Sequence, residues 1–394
     1  MQGAILKFPP LSYVGRGASS RLAEEVRRYE AGRVLLIADQ ALVKLGMTER
    51  LAAPIRQGGV TLDVFAEIEP EPSLALAERI VAHAREGRYD LIIGLGGGSA
   101  LDLAKLAAVL SAHEGAVADY LNLTGDRRIE RRGLPKLLVP TTSGSGSEVT
   151  NIAVLSLAHT KDVVVHEYLS AEAAIVDAEL TVSVPARVTA ATGMDAMTHA
   201  IEAYLSIHAS PASDALALNA VRLGGRAIRQ AVRDGRDVSA REDMSQASYL
   251  AGLAFFNAGV AGVHALAYPL GGQFHMPHGE ANAVLLPHVM ARLAPACGER
   301  MRALLRALQG DSATGADDHI EAGAAADAFV AALHALSRDV GLSVSLRDYG
   351  ISESELDALT DDAGRQTRLL ARSPLALERA DIRAIYAAAW QGRD

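Results

Sequence analysis

From Ile5 to about Leu180 short β-rich runs alternate with helical patterns, and beyond Pro185 strand signals nearly vanish. The first pattern is that of a mainly parallel sheet covered by helices, and the second that of a helical bundle. A chain of 394 residues exceeds the size at which one hydrophobic core stops growing. Two domains are therefore expected, an α/β domain over 1–184 and an all-helical domain over 185–394. In the second, helical periodicity runs through 208 and over 214–232, 241–256, 281–294, 299–308, 322–340 and 382–390, with a polar loop over 310–318.

Within the first domain, buried strands are expected at 33–39, 61–65, 90–94, 136–140 and 173–177, and a helix capped by Ser73 over 73–87. The strand at 90–94 runs directly into a glycine loop, GGGSALDLAK at 96–105, which opens a helix. Glycines allow a backbone to approach an anion closely, and a helix start offers unpaired N–H groups and the positive end of its dipole. Gly96, Gly97, Gly98 and Ser99 are thus a candidate pyrophosphate cradle, although a glycine run alone serves equally as a plain strand-to-helix turn. In the usual dinucleotide fingerprint an acid follows the glycines by about 20 residues. Here Asp39 precedes Gly96 by 57. Parallel strands can still bring both to neighbouring carboxyl ends, where Asp39 would bind the adenosine ribose and repel the 2′-phosphate of NADP, favouring NAD. Asp39 is equally placed to cap a helix beginning at Gln40. After the strand at 136–140 comes PTTSGSGSEVT at 140–150, a hydroxyl-rich loop able to line a polar ligand.

The second domain carries a different chemistry. Asp195 and His199 stand four residues apart in a run of helical apolar spacing, one turn apart on one face. Such a pair alone is more often a structural contact than a metal site. The chain then returns with GVHALAYPLGGQFHMPHGEAN at 262–282, in which His264 and His278 are the candidates to complete a divalent-metal site. Separate histidine-bearing elements, each embedded in apolar, glycine-punctuated sequence, are a costly way to build a core.

A net charge of −9 excludes attraction to nucleic acid or an anionic membrane surface. The single cysteine, Cys297, rules out an internal disulfide framework. No signal peptide and no membrane span are evident, so a cytoplasmic location is expected.

The glycine loop, the hydroxyl loop and the Asp/His segments together resemble the iron-containing (group III) alcohol dehydrogenases, which share a two-domain architecture with dehydroquinate synthase and glycerol dehydrogenase. The likeness runs over nearly the whole chain. It implies a dehydroquinate synthase-like fold with an N-terminal NAD-binding domain, and interconversion of an alcohol with an aldehyde or ketone. It also implies NAD(P), of which Asp39 favours NAD, and a divalent metal, usually iron (Fe2+), although imidazole and carboxylate ligands accept Zn2+ equally, together with a homodimer or higher homo-oligomer. Carried over residue by residue, it implies metal ligands at Asp195, His199, His264 and His278. Cofactor contacts follow at Asp39, Gly97, Gly98, Ser99, Asp102, Thr141, Thr142 and Lys161, the last near the cofactor ribose. One position departs from the better known members, whose motif reads His-x-x-x-His before the proline: here the second position is Tyr268. Tyr268 and His275 are therefore the candidate proton carriers, and a phenol with a reference pKa near 10 is a poor base unaided. The substrate pocket is expected to include Tyr268, Phe255, Phe256 and Leu266. Three rivals share parts of this pattern: a maleylacetate reductase, a lyase of the dehydroquinate synthase type, and a catalytically silent dinucleotide-binding module.

Overall fold

The structure, a computed structural model, describes residues 5–69, 71–157, 160–310 and 321–392. Apart from Gly310, the polar loop expected over 310–318 lies outside the described residues. The chain divides into two compact units, Phe8–Val182 and Ser183–Asp394, the second also holding the residues before Phe8. That N-terminal segment is tied to its unit at Lys7, whose N–H donates to Asn257 Oδ1 (2.6 Å) and whose carbonyl accepts from Asn257 Nδ2 (3.0 Å).

In the first unit the strands are β1 (Ser12–Val14), β2 (Arg33–Asp39), β3 (Thr61–Ile68), β4 (Leu91–Gly96), β5 (Lys136–Pro140), β6 (Ile152–Ser156), β7 (Lys161–Val165) and β8 (Ala173–Val176). Among the described residues, six of them form a parallel sheet in the order β1-β8-β5-β4-β2-β3, and β6 pairs antiparallel with β7. The helices are α1 (Leu22–Arg28), α2 (Gln40–Lys44), α3 (Met47–Gln57), α4 (Leu74–Gly87) and α5 (Gly98–Leu110). Apolar residues fill both faces of the central strands. Leu35, Ile37, Ile92 and Leu138 join one core, whereas Val34, Leu36, Leu91, Ile93, Leu137 and Val139 join the other. This is the two-residue period of a strand buried on both sides, and it explains why these segments read as continuous hydrophobic runs.

The five expected strands are all present, with β3 and β4 extending to Ile68 and Gly96. Ser73 caps α4 as expected, its Oγ accepting from Leu76 N at 3.2 Å. Two features depart from the sequence reading. β1 is three residues long, too short for a periodicity to register. β6 and β7 lie where no element was expected: β6 alternates half-buried and buried positions and joins no part of the main sheet.

The second unit is helical: α6 (Ala186–Leu205), α7 (Pro211–Arg233), α8 (Val238–Ala258), α9 (Gly262–Phe274), α10 (His278–Gln309), α11 (Ala322–Asp339), α12 (Leu356–Gly364), α13 (Thr367–Leu370) and α14 (Arg379–Gln391). The helices expected at 281–294 and 299–308 are one continuous 32-residue helix that includes Pro287 and Pro295. An interior proline costs about 3 kcal/mol in an isolated helix. Here α10 packs against α6, α7, α9, α11 and α14, and that burial outweighs the penalty. The same override holds for α9, which keeps helical geometry through Pro269. Leu266 is fully buried in the core of this unit, its carbonyl accepting from Tyr386 Oη at 2.6 Å, so it serves packing. Among the described residues no single helix is long and apolar enough to cross a membrane.

Candidate functional site

The first unit places its polar loops where the sheet changes direction. β3 lies outside β2, and the chain then crosses back to place β4 on the other side of β2. In an open α/β sheet, ligands bind at such a switch point, beyond the carboxyl ends of the strands. Ala38 pairs with Leu95, so Asp39 and Gly96 stand side by side at those ends. Asp39 caps α2, its Oδ1 accepting from Leu42 N at 3.0 Å. Its Oδ2 lies 3.6 Å from where a Cβ on Gly96 would fall. The helix cap and the place beside the glycine loop thus engage different oxygens of one carboxylate.

Gly96 has φ +153°, and a side chain there would meet Ala100 Cβ at 2.7 Å, so this turn into α5 requires glycine. A Cβ on Gly97 would stand 3.4 Å from Thr142 Oγ1, and one on Gly98 3.0 Å from Ser145 Oγ. The glycine loop is therefore packed directly on the hydroxyl loop, and Thr141 N donates to Gly96 O (2.9 Å). Ser99 Oγ accepts from Glu71 N at 3.2 Å, and the Glu71 carboxylate pairs with Lys161 Nζ at 2.9 Å. Ser99 and Lys161 are thus linked through Glu71.

Beneath these loops lies a buried charged network that sequence reasoning missed. Lys105 is fully buried, and its Nζ donates to Asp102 Oδ1 (3.1 Å), Ser147 Oγ (2.6 Å), Thr150 Oγ1 (3.1 Å) and Ile152 O (2.7 Å). Asp102 also accepts from Ser147 Oγ (2.5 Å) and from Val154 N (2.9 Å), so both its oxygens are engaged inside the protein. Burial lowers the Lys105 ammonium, against the opposing pull of Asp102 and Glu148. The Glu148 carboxyl is pushed up to about 7, first by burial, with its own backbone hydrogen bond and Lys105 opposing.

In the second unit, α6 places Asp195 and His199 one turn apart, α9 carries His264 in its first turn, and α10 begins at His278. One donor atom each from Asp195, His199 and His264 lies within 4.8 Å of the others. Asp195 Oδ1 is 3.6 Å from His278 Nε2 and 3.9 Å from His264 Nε2, and Oδ2 is 4.0 Å from His199 Nδ1. All four side chains named from the sequence therefore come together. Gly279 permits this, since a Cβ there would lie 2.1 Å from Ala191 O of α6 and push the start of α10 away.

Two further residues complete the cluster. Asn282, fully buried, donates from Nδ2 to Asp195 Oδ1 at 2.8 Å, and the same nitrogen is 3.3 Å from both His264 Nε2 and His278 Nε2. Glu202 Oε2 is 2.6 Å from His264 Nδ1. Helical spacing was the available signal: Asn282 follows His278 by four residues and Glu202 follows His199 by three. Burial raises the Asp195 carboxyl, but the nearby His199, His278 and His264, with the Asn282 amide, hold it below its ordinary value. The His199 ring is stacked between Phe255 (centroids 4.3 Å apart, 19° between planes) and His264 (4.6 Å, 24°). Tyr268 is nearly buried, with its ring 6.1 Å from that of His278. His275 ends α9 in a left-handed conformation (φ 52°) with its side chain exposed. Phe256 is half-buried beside Phe255.

Two family models match the chain, one described as iron-containing alcohol dehydrogenase over residues 9–178 and one as Fe-containing alcohol dehydrogenase family, C-terminal, over 189–390. The chain is 58% identical to the long-chain-alcohol dehydrogenase 1 of Geobacillus thermodenitrificans (strain NG80-2), across 100% of this chain and 98% of that protein. A solved 1,3-propanediol oxidoreductase superposes with a TM-score of 0.92 at 35% identity, covering 99% of this chain and 100% of the other. A sulfoacetaldehyde reductase from Bifidobacterium kashiwanohense, solved in complex with NAD+, superposes at 0.88 with 27% identity, covering 99% of each chain.

Proposed function

The chain belongs to the iron-containing alcohol dehydrogenase family, an alcohol oxidoreductase by descent, and on that premise we propose that it oxidises primary alcohols with NAD at a divalent-metal site made by Asp195, His199, His264 and His278. One observation carries this reading. Asp195 Oδ1, His264 Nε2 and His278 Nε2 all lie within 3.3 Å of the single Asn282 amide nitrogen. Three lone-pair-bearing atoms thus converge on a group with two hydrogens, an arrangement that suits a cation better than an amide. Three imidazoles and one carboxylate suit iron or zinc, and the family supports iron first. A divalent cation held there supplies Lewis acidity toward the alcohol oxygen.

The chain's own residues provide the remainder. The Phe255, His199 and His264 rings stack and fix the imidazole planes. Tyr268, whose ring stands beside His278, is the group placed to hold the hydroxyl proton, and exposed His275 is a second carrier open to water. Gly97, Gly98 and Ser99 cradle the pyrophosphate, with Thr141, Thr142 and the Glu71-paired Lys161 lining the same cofactor. Asp102, with both oxygens engaged by Lys105, Ser147 and Val154, supports the loops from beneath. Asp39 keeps one oxygen beside Gly96, which favours NAD over NADP by repelling a 2′-phosphate. The relative at 58% identity makes long-chain alcohols the first substrates to try.

The test is NADH formation by chelator-free protein across primary alcohols of increasing chain length, diols and hydroxy acids, with and without Fe(II) added anaerobically. Iron-stimulated NADH formation supports the reading, with the highest kcat/KM on the longer alcohols. His264→Ala is expected to lose both metal and turnover while still binding NAD. Full activity with normal metal content in that variant overturns the assignment.

A further inference from the structure

Glu202 belongs to none of the motifs that mark the site, yet both of its carboxylate oxygens are engaged inside the second unit. It is 2% exposed. Oε1 accepts from Val263 N at 2.6 Å, and Oε2 accepts from Ala261 N at 3.1 Å while standing 2.6 Å from His264 Nδ1. Ala261, the residue before α9, has no side chain able to cap that helix. Glu202 therefore reaches across from α6 to supply the missing cap, with a negative charge at the positive end of the α9 dipole.

The same carboxylate decides how His264 is presented. Two backbone N–H groups already point at it, so the short contact to Nδ1 requires a hydrogen on Nδ1. A neutral imidazole protonated at Nδ1 carries its lone pair on Nε2. Nε2 is the atom that faces Asp195 Oδ1 (3.9 Å) and Asn282 Nδ2 (3.3 Å). We propose that Glu202 is the positioning residue that holds His264 as the Nδ1–H tautomer, with the Nε2 lone pair free for a metal, and locks the first turn of α9 to the metal site. A divalent cation held by the donor set would then have two carboxylates near it, Asp195 in the set itself and Glu202 behind the His264 imidazole. The proposal rests on the four-residue donor set argued above.

The decisive variant is Glu202→Gln, which keeps the shape but turns an NH2 group toward a backbone N–H or toward the imidazole. Two measurements on full-length protein are required. In the metal-free state, long-range 15N NMR of the histidine rings reads the tautomer: His264 is expected as Nδ1–H in the wild type and shifted toward Nε2–H in E202Q. In chelator competition with Co(II) or Fe(II), E202Q is expected to bind the metal 10–100-fold more weakly, with unchanged NAD affinity and far-ultraviolet circular dichroism. An Nε2–H tautomer in the wild type, or metal affinity within twofold of wild type in E202Q, overturns the proposal. His278→Ala in the same assay separates the two levels. If it loses metal while E202Q retains it, only the role of Glu202 falls; if it too retains metal, the donor set falls and the proposal with it. Should E202Q fail to fold, Glu202→Asp gives the same readouts, because the shorter side chain cannot reach both α9 and Nδ1.

Discussion

Asn282 Nδ2 donates to Asp195 Oδ1 at 2.8 Å, joining the start of α10 to the middle of α6 at the centre of the Asp/His cluster. This bond orients the one carboxylate of the four-residue donor set and stands among the influences holding its pKa below the ordinary carboxylate value. Asn282→Leu keeps the volume and removes the donor. It is expected to weaken metal binding by about tenfold or more and to destabilise the metal-free protein by about 1–3 kcal/mol, since a buried acceptor loses its partner. Chelator competition and urea unfolding measure the two effects, and wild-type values in both would show that Asn282 is a bystander.

The parts of the site that could be read beforehand are those whose chemistry is local in sequence. Asp195 and His199 share a helical turn, and the glycine loop follows its strand directly, so spacing alone exposes them. Glu202 and Asn282 also share helical faces with named residues, but an acid or amide in a helix is ordinary, and only its burial against His264 and Asp195 sets it apart. Lys105 reads as the last polar residue of a glycine-loop helix; its four acceptors come from Asp102 and from residues 42 to 47 positions further along the chain. The strands with apolar residues on both faces were legible as continuous runs, whereas β1 and the β6/β7 pair carry no such signal. The two helices expected at 281–294 and 299–308 are continuous in α10 through Pro295, because packing against five other helices outweighs the local cost of that proline.

Asp39 serves two purposes that can be separated. Oδ1 caps α2 at Leu42 N (3.0 Å), and Oδ2 faces the Gly96 turn. Asp39→Asn retains a cap and removes the charge, whereas Asp39→Ala removes both. Both variants are expected to raise the NADP share of kcat/KM. Only the alanine variant should lose about 1 kcal/mol of stability. An unchanged NAD/NADP ratio in both would take Asp39 out of ribose recognition and leave it as a cap alone.

Lys105→Met replaces a buried ammonium by a side chain of similar length and strands Asp102 without its cation. Breaking a buried pair on one side costs about 3–5 kcal/mol. The loss should fall on the hydroxyl loop, because Ser147, Thr150 and Ile152 are all held by the same Nζ. Faster amide exchange over 147–154 together with a lower urea midpoint is the expected outcome. A stable variant with native protection there would mean that the loop is held by its backbone contacts.

Glu148 offers a pH-dependent test of the same region. It is buried, and its carboxyl is pushed up to about 7 from an ordinary 4.5. Between those values the unfolded chain has released this proton while the folded protein still holds it, so the folded state binds more protons and loses stability as pH rises. Above about 7 the penalty is fully present and no longer changes. Glu148→Gln cannot ionise and escapes it. The variant is therefore expected to differ little from wild type at pH 4.5 and to be more stable at pH 8, by at most about 3 kcal/mol from 1.36 kcal/mol per pKa unit. Thermal unfolding of both proteins across that range measures it. Parallel melting curves at every pH would mean that Glu148 is already ionised in the folded protein, with Lys105 compensating its charge.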